Sequence, residues 1–269
     1  DHIHSHNCEF QMFERDYQFG TNLKKTKYFP KSDQKTFDGF RRSDGRCGTR
    51  NYIGILTSVN CSATVARMIC DEINTSGILK EYPNIDGVSA FVHGTGCGMA
   101  GDGDGWGILQ RTQWGYARHA NFASILMVGL GCEVNQIPFL MDAYGLEENK
   151  TFQTLVIQDE GGTRKTIAAG VERITSMLSD ANNIKRESIP VSELTLALQC
   201  GGSDGYSGMT ANPALGAAAD LLVRHGGTAI LSETPEIYGA EHLLTRRAIN
   251  DRVGQKLVDR IHWWEDYAE

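Results

Sequence analysis

The sequence predicts an α/β protein in which parallel sheets carry helices on both faces. Along most of the chain, apolar segments of strand length alternate with amphipathic segments of helix length, which is the element order of such sheets. The strand segments are apolar almost throughout, as expected where helices cover both faces of a sheet. Glycine is frequent, with 30 residues, and proline is scarce, with 6, which suits many tight turns between strands and helices.

Each element is predicted from its local pattern. Four strand–helix pairs come first, with strands at residues 52–59, 86–92, 124–130 and 152–157 and helices at residues 62–76, 106–119, 133–144 and 163–180. Pro190 then marks a boundary, because proline does not continue a regular element. After it we expect strands at residues 193–198 and 228–231 and helices at residues 214–224 and 246–264.

Three regions follow from this pattern. Residues 1–36 form the first region, in which residues 8–36 are polar and irregular and predict a linker or extended arm. Residues 37–189 are expected to form one α/β domain, and residues 190–269 the truncated start of a second, Rossmann-like α/β domain. Because the chain starts without Met and ends inside a predicted helix, we expect it to be a piece of a larger protein.

The composition narrows the class of protein. A net charge of -7, with no long basic run, argues against nucleic acid as a partner. No apolar stretch approaches the ~20 residues needed to cross a bilayer, so no membrane association is expected. Seven cysteines are an odd number and do not form the dense framework of a small secreted domain. We therefore expect a cytoplasmic protein.

Four cysteines lie just after predicted strands: Cys61, Cys97, Cys132 and Cys200. The carboxyl ends of parallel strands meet at one edge of a sheet, where ligands bind, so these thiols are expected to converge. A group of thiols is a ligand set for a soft metal, which leaves open mononuclear iron, an iron–sulfur cluster or zinc. The alternative is that each cysteine is a small buried apolar residue.

Other polar residues have both a functional and a structural interpretation. His93 lies at a strand end beside Cys97 and is a candidate acid, base or ligand. His4 and His6 would share one face of an extended strand, as metal ligands do, or belong to a solvated terminus. Arg164 is placed to bind a carboxylate or to cap a helix. A polar turn suited to substrate oxygens, or simply to helix capping, contains Ser203, Asp204 and Asn212.

Several strings resemble the altronate/galactarate dehydratase family over nearly the whole chain. They are DGFRR at 38–42 with Gly45, GTRN at 48–51, HGTGCG at 93–98, GLGCE at 129–133, CGGSD at 200–204, SG at 207–208 and TANP at 210–213. Two further strings are closer to the altronate branch: HIHSHN at 2–7, which resembles the end of an N-terminal SAF domain, and PEIYGAE at 235–241.

The resemblance implies a metal-dependent hydro-lyase that dehydrates a sugar acid, altronate, to a 2-keto-3-deoxy acid. It implies a divalent metal, Fe²⁺, and leaves a homo-oligomer open. We assign catalysis to His93, Cys97, Cys132 and Cys200 as a hypothesis, because the resemblance itself fixes the role of no residue. Substrate binding falls to Arg164, Ser203, Asp204 and Asn212, and the metal ligands are His4, His6, Cys61, Cys97, Cys132 and Cys200. Galactarate dehydration, sulfolactate sulfo-lyase activity and a non-catalytic metal- or redox-binding module remain alternatives.

Overall fold

The computed structural model of the protein describes residues 17–201 and 205–268. Within these ranges the chain forms two compact units. One unit is the continuous segment Phe37–Ile189. The other combines the described residues up to Thr36 with the segment that begins at Pro190.

The unit Phe37–Ile189 alternates strands and helices over most of its length. Its strands are β1 (Thr36–Arg41), β2 (Cys47–Gly48), β3 (Tyr52–Thr57), β4 (Gly87–Phe91), β5 (Phe122–Gly129), β6 (Phe152–Val156) and β7 (Arg186–Pro190). β1 begins one residue before this unit, and β7 ends one residue after it. Its helices are α1 (Ala63–Ser76), α2 (Gly103–Ala117), α3 (Ile137–Tyr144) and α4 (Thr163–Asn182).

A parallel four-stranded sheet with the order β4-β3-β5-β6 forms the centre of this unit. Side chains alternate between the two faces of a strand, so each strand contributes to two cores. Leu126 and Val128 of β5 pack with α1 and α4, whereas Ile125 and Met127 pack with α3 and the end of α2. Helices therefore cover both faces of the sheet, and the predicted fold class is confirmed.

A second, three-stranded sheet of order β2-β1-β7 was absent from the prediction. β1 and β2 are antiparallel partners, with Phe40 opposite Gly48. Both β1 and β7 are largely polar, and their buried anchors are single residues such as Phe40 and Ile189. No continuous apolar run marks these strands, which is why the hydrophobic pattern missed them.

Two helices begin four or five residues later than predicted. The helix expected at residues 133–144 begins only at Ile137, because Glu133 turns inward to bond the end of β5 and Pro138 occupies the first turn. The helix expected at residues 246–264 begins only at Asp251, as α7 (Asp251–Ala268), and a separate short helix, α6 (His242–Thr245), ends before the predicted start. An irregular segment between them ends where Asn250 accepts the N–H of Val253.

The other unit contains β8 (Thr195–Leu198), α5 (Ala211–Arg224) and β9 (Thr228–Leu231), followed by α6 and α7. β8 and β9 are parallel neighbours, as a strand–helix–strand unit requires. The described part of the arm, residues 17–35, bonds to this unit, for example through Asn22 N–H to Arg246 O at 2.8 Å. Among the described helices, none is both long and apolar enough to span a membrane.

Candidate functional site

The strand order creates a topological switch point between β3 and β5. After β3 the chain passes through α1 to β4, which lies on one side of β3 in the sheet. β5 lies on the other side of β3. The loops that follow β3 and β5 therefore lead away from each other. In open α/β sheets, ligands bind in the crevice formed there. Cys61 follows β3 and Cys132 follows β5, on the two sides of this crevice, and Cys97 follows the neighbouring β4. All three side chains are exposed, which disfavours the interpretation as buried apolar residues.

Backbone hydrogen bonds join the three cysteine-bearing loops. The N–H of Asn60 donates to Thr95 O at 2.8 Å, and the N–H of Asn135 donates to Gly96 O at 3.1 Å. Gly96 has φ +98°, and a Cβ on it would overlap Ser58 O and lie 2.9 Å from Val59 Cα. The loop after β4 can therefore pack this closely against the loop after β3 only because this position is glycine.

A buried carboxylate bridges the crevice beneath the thiols. Glu133 is 3% exposed, and its Oε1 accepts the Ser58 hydroxyl at 2.6 Å and the Leu130 N–H at 3.1 Å, while its Oε2 accepts the Gly131 N–H at 2.5 Å. Burial acts to raise the pKa of Glu133, but the hydrogen bonds from Ser58 and the nearby backbone N–H groups outweigh it and lower the pKa. Glu133 is therefore held as an ion that links the ends of β3 and β5.

Two buried amides continue this network. Gln113 Nε2 donates to Thr57 O at 2.9 Å, and Asn135 Nδ2 donates to Ser58 O and to Gln113 Oε1, both at 2.9 Å. Because the backbone carbonyls are acceptors only, they fix the orientation of both amide groups. Asn135 Oδ1 is buried and has no hydrogen-bond partner in the described part of the chain. The network thus leaves one acceptor unsatisfied at the switch point.

Both ring nitrogens of His93 face the backbone. Nε2 lies 2.9 Å from Thr57 O, and Nδ1 lies 3.3 Å from the Thr95 N–H. The tautomer with hydrogen on Nε2 satisfies both contacts and leaves only a donor–donor approach to Gln113 Nε2 at 3.1 Å. The opposite tautomer would satisfy only the Gln113 contact. An acid or base role for His93 would therefore require it to release one of these backbone contacts.

The thiols are close enough to affect one another. Cys61 is the main cause of a raised pKa at Cys97, and desolvation, a hydrogen bond with Cys61, and the nearby Cys132 and Glu133 act in the same direction. In chemical terms the thiols fit a soft divalent metal. Across residues 17–201 and 205–268, however, no group of three or more His, Cys, Asp or Glu side chains could hold a metal ion. The described residues therefore offer soft donors without completing a metal site.

Sequence reasoning missed the residues that order this site. Ser58, Gln113, Glu133 and Asn135 are all buried polar residues. The sequence contained one usable signal, at Glu133. A carboxylate directly after an apolar strand and a Gly-Cys pair lies close to the core, and a buried carboxylate needs hydrogen-bond donors within the fold. Gln113 lies on α2, and nothing in its local sequence distinguishes it from a solvated helical glutamine.

Arg164 is the second residue of α4 and is exposed. It follows β6, so it lies at the carboxyl edge of the same sheet, but next to the outer strand rather than at the crevice between β3 and β5. Cys70, which the sequence analysis did not include in the site, packs against the main core, and burial raises its pKa. Its thiol donates to Val88 O at 3.2 Å, as a structural cysteine does.

Two predicted residues lie in the other unit. Cys200 follows β8, Asn212 is in the first turn of α5, and both line a cavity of about 330 Å³. Glu233, after β9, lines the same cavity and accepts the Cys200 N–H at 2.7 Å. This edge therefore has a thiol, an amide and a carboxylate around one opening, and Glu233 is a further polar residue that the sequence analysis missed.

Four predicted residues fall outside the described ranges: His4, His6, Ser203 and Asp204. Their assignment to the metal site and the substrate site stays a prediction from the sequence.

Both parts of the chain match models of one protein family. Residues 39–182 match the second domain of D-galactarate dehydratase/altronate hydrolase, and residues 191–269 match the C-terminal domain of D-galactarate/altronate dehydratase. The second-domain match alone covers more than half of the 269 residues.

Three relatives extend this comparison. An altronate dehydratase of Bacillus subtilis (strain 168) is 34% identical over 272 residues, which cover 99% of this chain and 52% of that protein. An altronate dehydratase of Escherichia coli (strain K12) is 34% identical over 271 residues, with coverage of 99% and 52%. The galactarate dehydratase (L-threo-forming) of Escherichia coli (strain K12) is 38% identical over 244 residues, covering 88% of this chain and 46% of that protein. The chain spans about half the length of these curated relatives, and it belongs to the D-galactarate/altronate dehydratase family.

Proposed function

We propose that the protein containing this chain is a hydro-lyase that removes water from a sugar acid, with altronate as substrate, to give a 2-keto-3-deoxy acid. One structural observation carries the proposal: three exposed thiols surround the switch-point crevice of a parallel sheet, above a buried and ionised Glu133. Family membership and the names of the relatives support the reaction class.

The dehydration reaction requires several chemical functions, and the groups at the crevice can be compared with each of them. Dehydration removes the proton next to the carboxylate and expels the neighbouring hydroxyl, so it needs a base, an acid and stabilisation of negative charge. Cys97 and Cys132 are exposed at the crevice and can exchange protons with a bound acid. His93, just after the end of β4, would act once it releases Thr57 O or the Thr95 N–H. The exposed guanidinium of Arg164 is a candidate partner for the substrate carboxylate.

We also propose that the protein uses a divalent metal, Fe²⁺, near these thiols. Of the predicted ligands, Cys61, Cys97 and Cys132 lie at one edge of the described structure and have the softness that iron accepts. Cys200 belongs to the other unit, and His4 and His6 lie outside the described residues. A bound metal would supply positive charge that makes the proton beside the carboxylate easier to remove.

Galactarate is the second candidate substrate. A galactarate dehydratase shares 38% identity with the chain, a higher value than the altronate dehydratases reach, although over a shorter stretch. The fold and the thiol crevice would serve either acid, because the two reactions break the same kinds of bond.

The test uses the full-length protein that contains this chain, purified without oxygen and supplied with ferrous iron. Formation of 2-keto-3-deoxy acids is measured from altronate, galactarate and sulfolactate, with and without a chelator. We expect chelator-sensitive turnover that is fastest with altronate. We also expect Cys132→Ser to lose turnover by at least about a hundredfold if its thiol acts in the reaction, while Cys70→Ser, a matched change of a core cysteine, keeps it.

Each other outcome changes the conclusion. Faster turnover of galactarate would move the substrate assignment to the second candidate. Absence of turnover with all three acids, in protein that is folded and contains iron, would reject the dehydratase proposal and favour a non-catalytic metal- or redox-binding module.

A further inference from the structure

Two of the three thiols are brought together by the contact between their loops. Asn60 donates its N–H to Thr95 O at 2.8 Å, and the glycine at position 96 lets the second loop lie against Ser58 and Val59. Cys61 follows the first of these contact points directly in sequence, and Cys97 follows the glycine directly. Their side chains are both exposed, and they lie near enough for Cys61 to be the main cause of the raised pKa of Cys97.

We propose that Cys61 and Cys97 form a modification site, a dithiol pair that a hydroperoxide oxidises to a disulfide. The two side chains meet two conditions for this reaction, which are attachment to loops in direct contact and access for the oxidant. Two sulfur atoms are enough for a disulfide, so the pair needs no further side chain. The contact between the two loops is therefore what places Cys61 and Cys97 near each other.

The reaction balances with the hydroperoxide as its only co-reactant. One thiolate attacks the O–O bond, an S–O bond forms, and the departing oxygen leaves as an alcohol or water, giving a sulfenic acid. The second sulfur then attacks this sulfenic sulfur, the S–S bond forms, and the S–O bond breaks with loss of water. The two sulfurs together lose two electrons, and the hydroperoxide accepts them.

The consequence for turnover rests on the proposed function. If the crevice binds the sugar acid, a disulfide between Cys61 and Cys97 removes two thiols from it and stops dehydration. A dithiol reductant would restore both thiols and the activity, because disulfide formation is reversible. The site would thereby make the enzyme sensitive to peroxide.

The pair can be mapped directly in the full-length protein. Metal is removed with a chelator, stoichiometric hydrogen peroxide is added, and the protein is digested with trypsin without a reductant. The three edge cysteines fall in separate tryptic peptides, residues 51–67 for Cys61, 81–111 for Cys97 and 119–150 for Cys132. We expect a covalent pair of peptides 51–67 and 81–111 that separates on reduction.

Matched variants separate the geometry from general thiol reactivity. Cys97→Ser should abolish the peptide pair, while Cys70→Ser should leave its yield unchanged. Gly96→Ala should lower the yield about tenfold because its Cβ forces the loops apart. Gly94→Ala in the same loop should not, since a Cβ there meets nothing within 4 Å.

The outcomes are decisive in both directions. A disulfide that includes Cys132 instead, or oxidised protein without any disulfide between Cys61 and Cys97, overturns the inference. The turnover of the same samples before oxidation keeps the two proposals apart. If the peptide pair forms in protein that showed no turnover before oxidation, the disulfide inference stands and the dehydratase proposal is rejected. If peroxide abolishes turnover but no peptide pair forms, the dehydratase proposal stands and the disulfide inference is rejected.

Discussion

The two edges of the β4-β3-β5-β6 sheet use their polar groups in different ways. At the amino edge, Arg42 donates to Ala120 O and to Asn51 Oδ1, both at 2.7 Å. Asn51 Nδ2 continues the network to Asn84 O at 2.8 Å and to Ala181 O at 3.0 Å. Burial, helped by the charge of neighbouring Arg46 and opposed by Asp44, lowers the pKa of Arg42 to about 10. These bonds tie the starts of β3 and β5 to the end of α4.

The carboxyl edge has the opposite character. Its buried residues are also strongly bonded, but above them lie three exposed thiols, and Asn135 Oδ1 has no partner among the described residues. Both edges contain strings that resemble the family, GTRN at the amino edge and GLGCE at the carboxyl edge. The difference teaches that one family string can mark a structural joint and another an edge with exposed thiols, and that burial and hydrogen bonding distinguish the two.

The largest expected effect breaks the amino edge. Arg42→Ala removes the donors that satisfy Asn51 Oδ1 and two backbone carbonyls, and we expect it to lower the free energy of unfolding by about 3 kcal/mol. The matched change is Arg41→Ala, whose ion pair with Glu187 at 2.6 Å is exposed and should contribute about 1 kcal/mol or less. Urea unfolding of both variants measures the difference. Equal losses would show that the bonds of Arg42 do not make the amino edge a structural joint.

The second largest expected effect is at the carboxyl edge, where variants of Glu133 test whether its charge contributes to turnover. Glu133→Ala leaves the Ser58 hydroxyl and two backbone N–H groups unpaired, so we expect a loss of about 2 kcal/mol in stability together with loss of turnover. Glu133→Gln keeps part of this network, because its oxygen can accept the Gly131 N–H while its amide donates to the Ser58 hydroxyl, but the amide then faces the Leu130 N–H. A smaller loss of stability than in Glu133→Ala, with turnover reduced as strongly, would assign the effect on turnover to the charge. Native turnover in Glu133→Gln would limit the residue to a structural role.

The sequence was sufficient to predict the parallel sheet, its two helical layers and the position of Cys61, Cys97 and Cys132 after three strands, because strong apolar patterns define those elements. It could not predict which polar residues hold these loops together. Ser58 and Asn135 bond partners from other strands, and such contacts depend on strand order and register, which local patterns do not contain. The antiparallel β1–β2 pair was missed for the related reason that it is short and polar.

The smallest expected effect concerns pH at the amino edge, where His119 lines an open cavity of about 810 Å³. Burial, and to a lesser degree the charge of Arg46, lowers the pKa of His119 below 6.5. The unfolded chain therefore binds a proton here at a higher pH than the folded chain, so stability is full above pH ~6.5 and decreases below it.

His119→Gln removes this proton, so the urea midpoint should change less between pH ~7.5 and pH ~5.5 in the variant than in the native protein. The change in slope should be small, because the ring is partly exposed and solvent screens its charge. The pH dependence of stability still distinguishes the two edges. Loss of the titrating group at position 119 changes this dependence and leaves the thiols of the carboxyl edge as they are. If the variant instead alters the peroxide sensitivity of Cys61 and Cys97, the two edges are coupled through the sheet, and the amino edge contributes to the reactive site as well as to the fold.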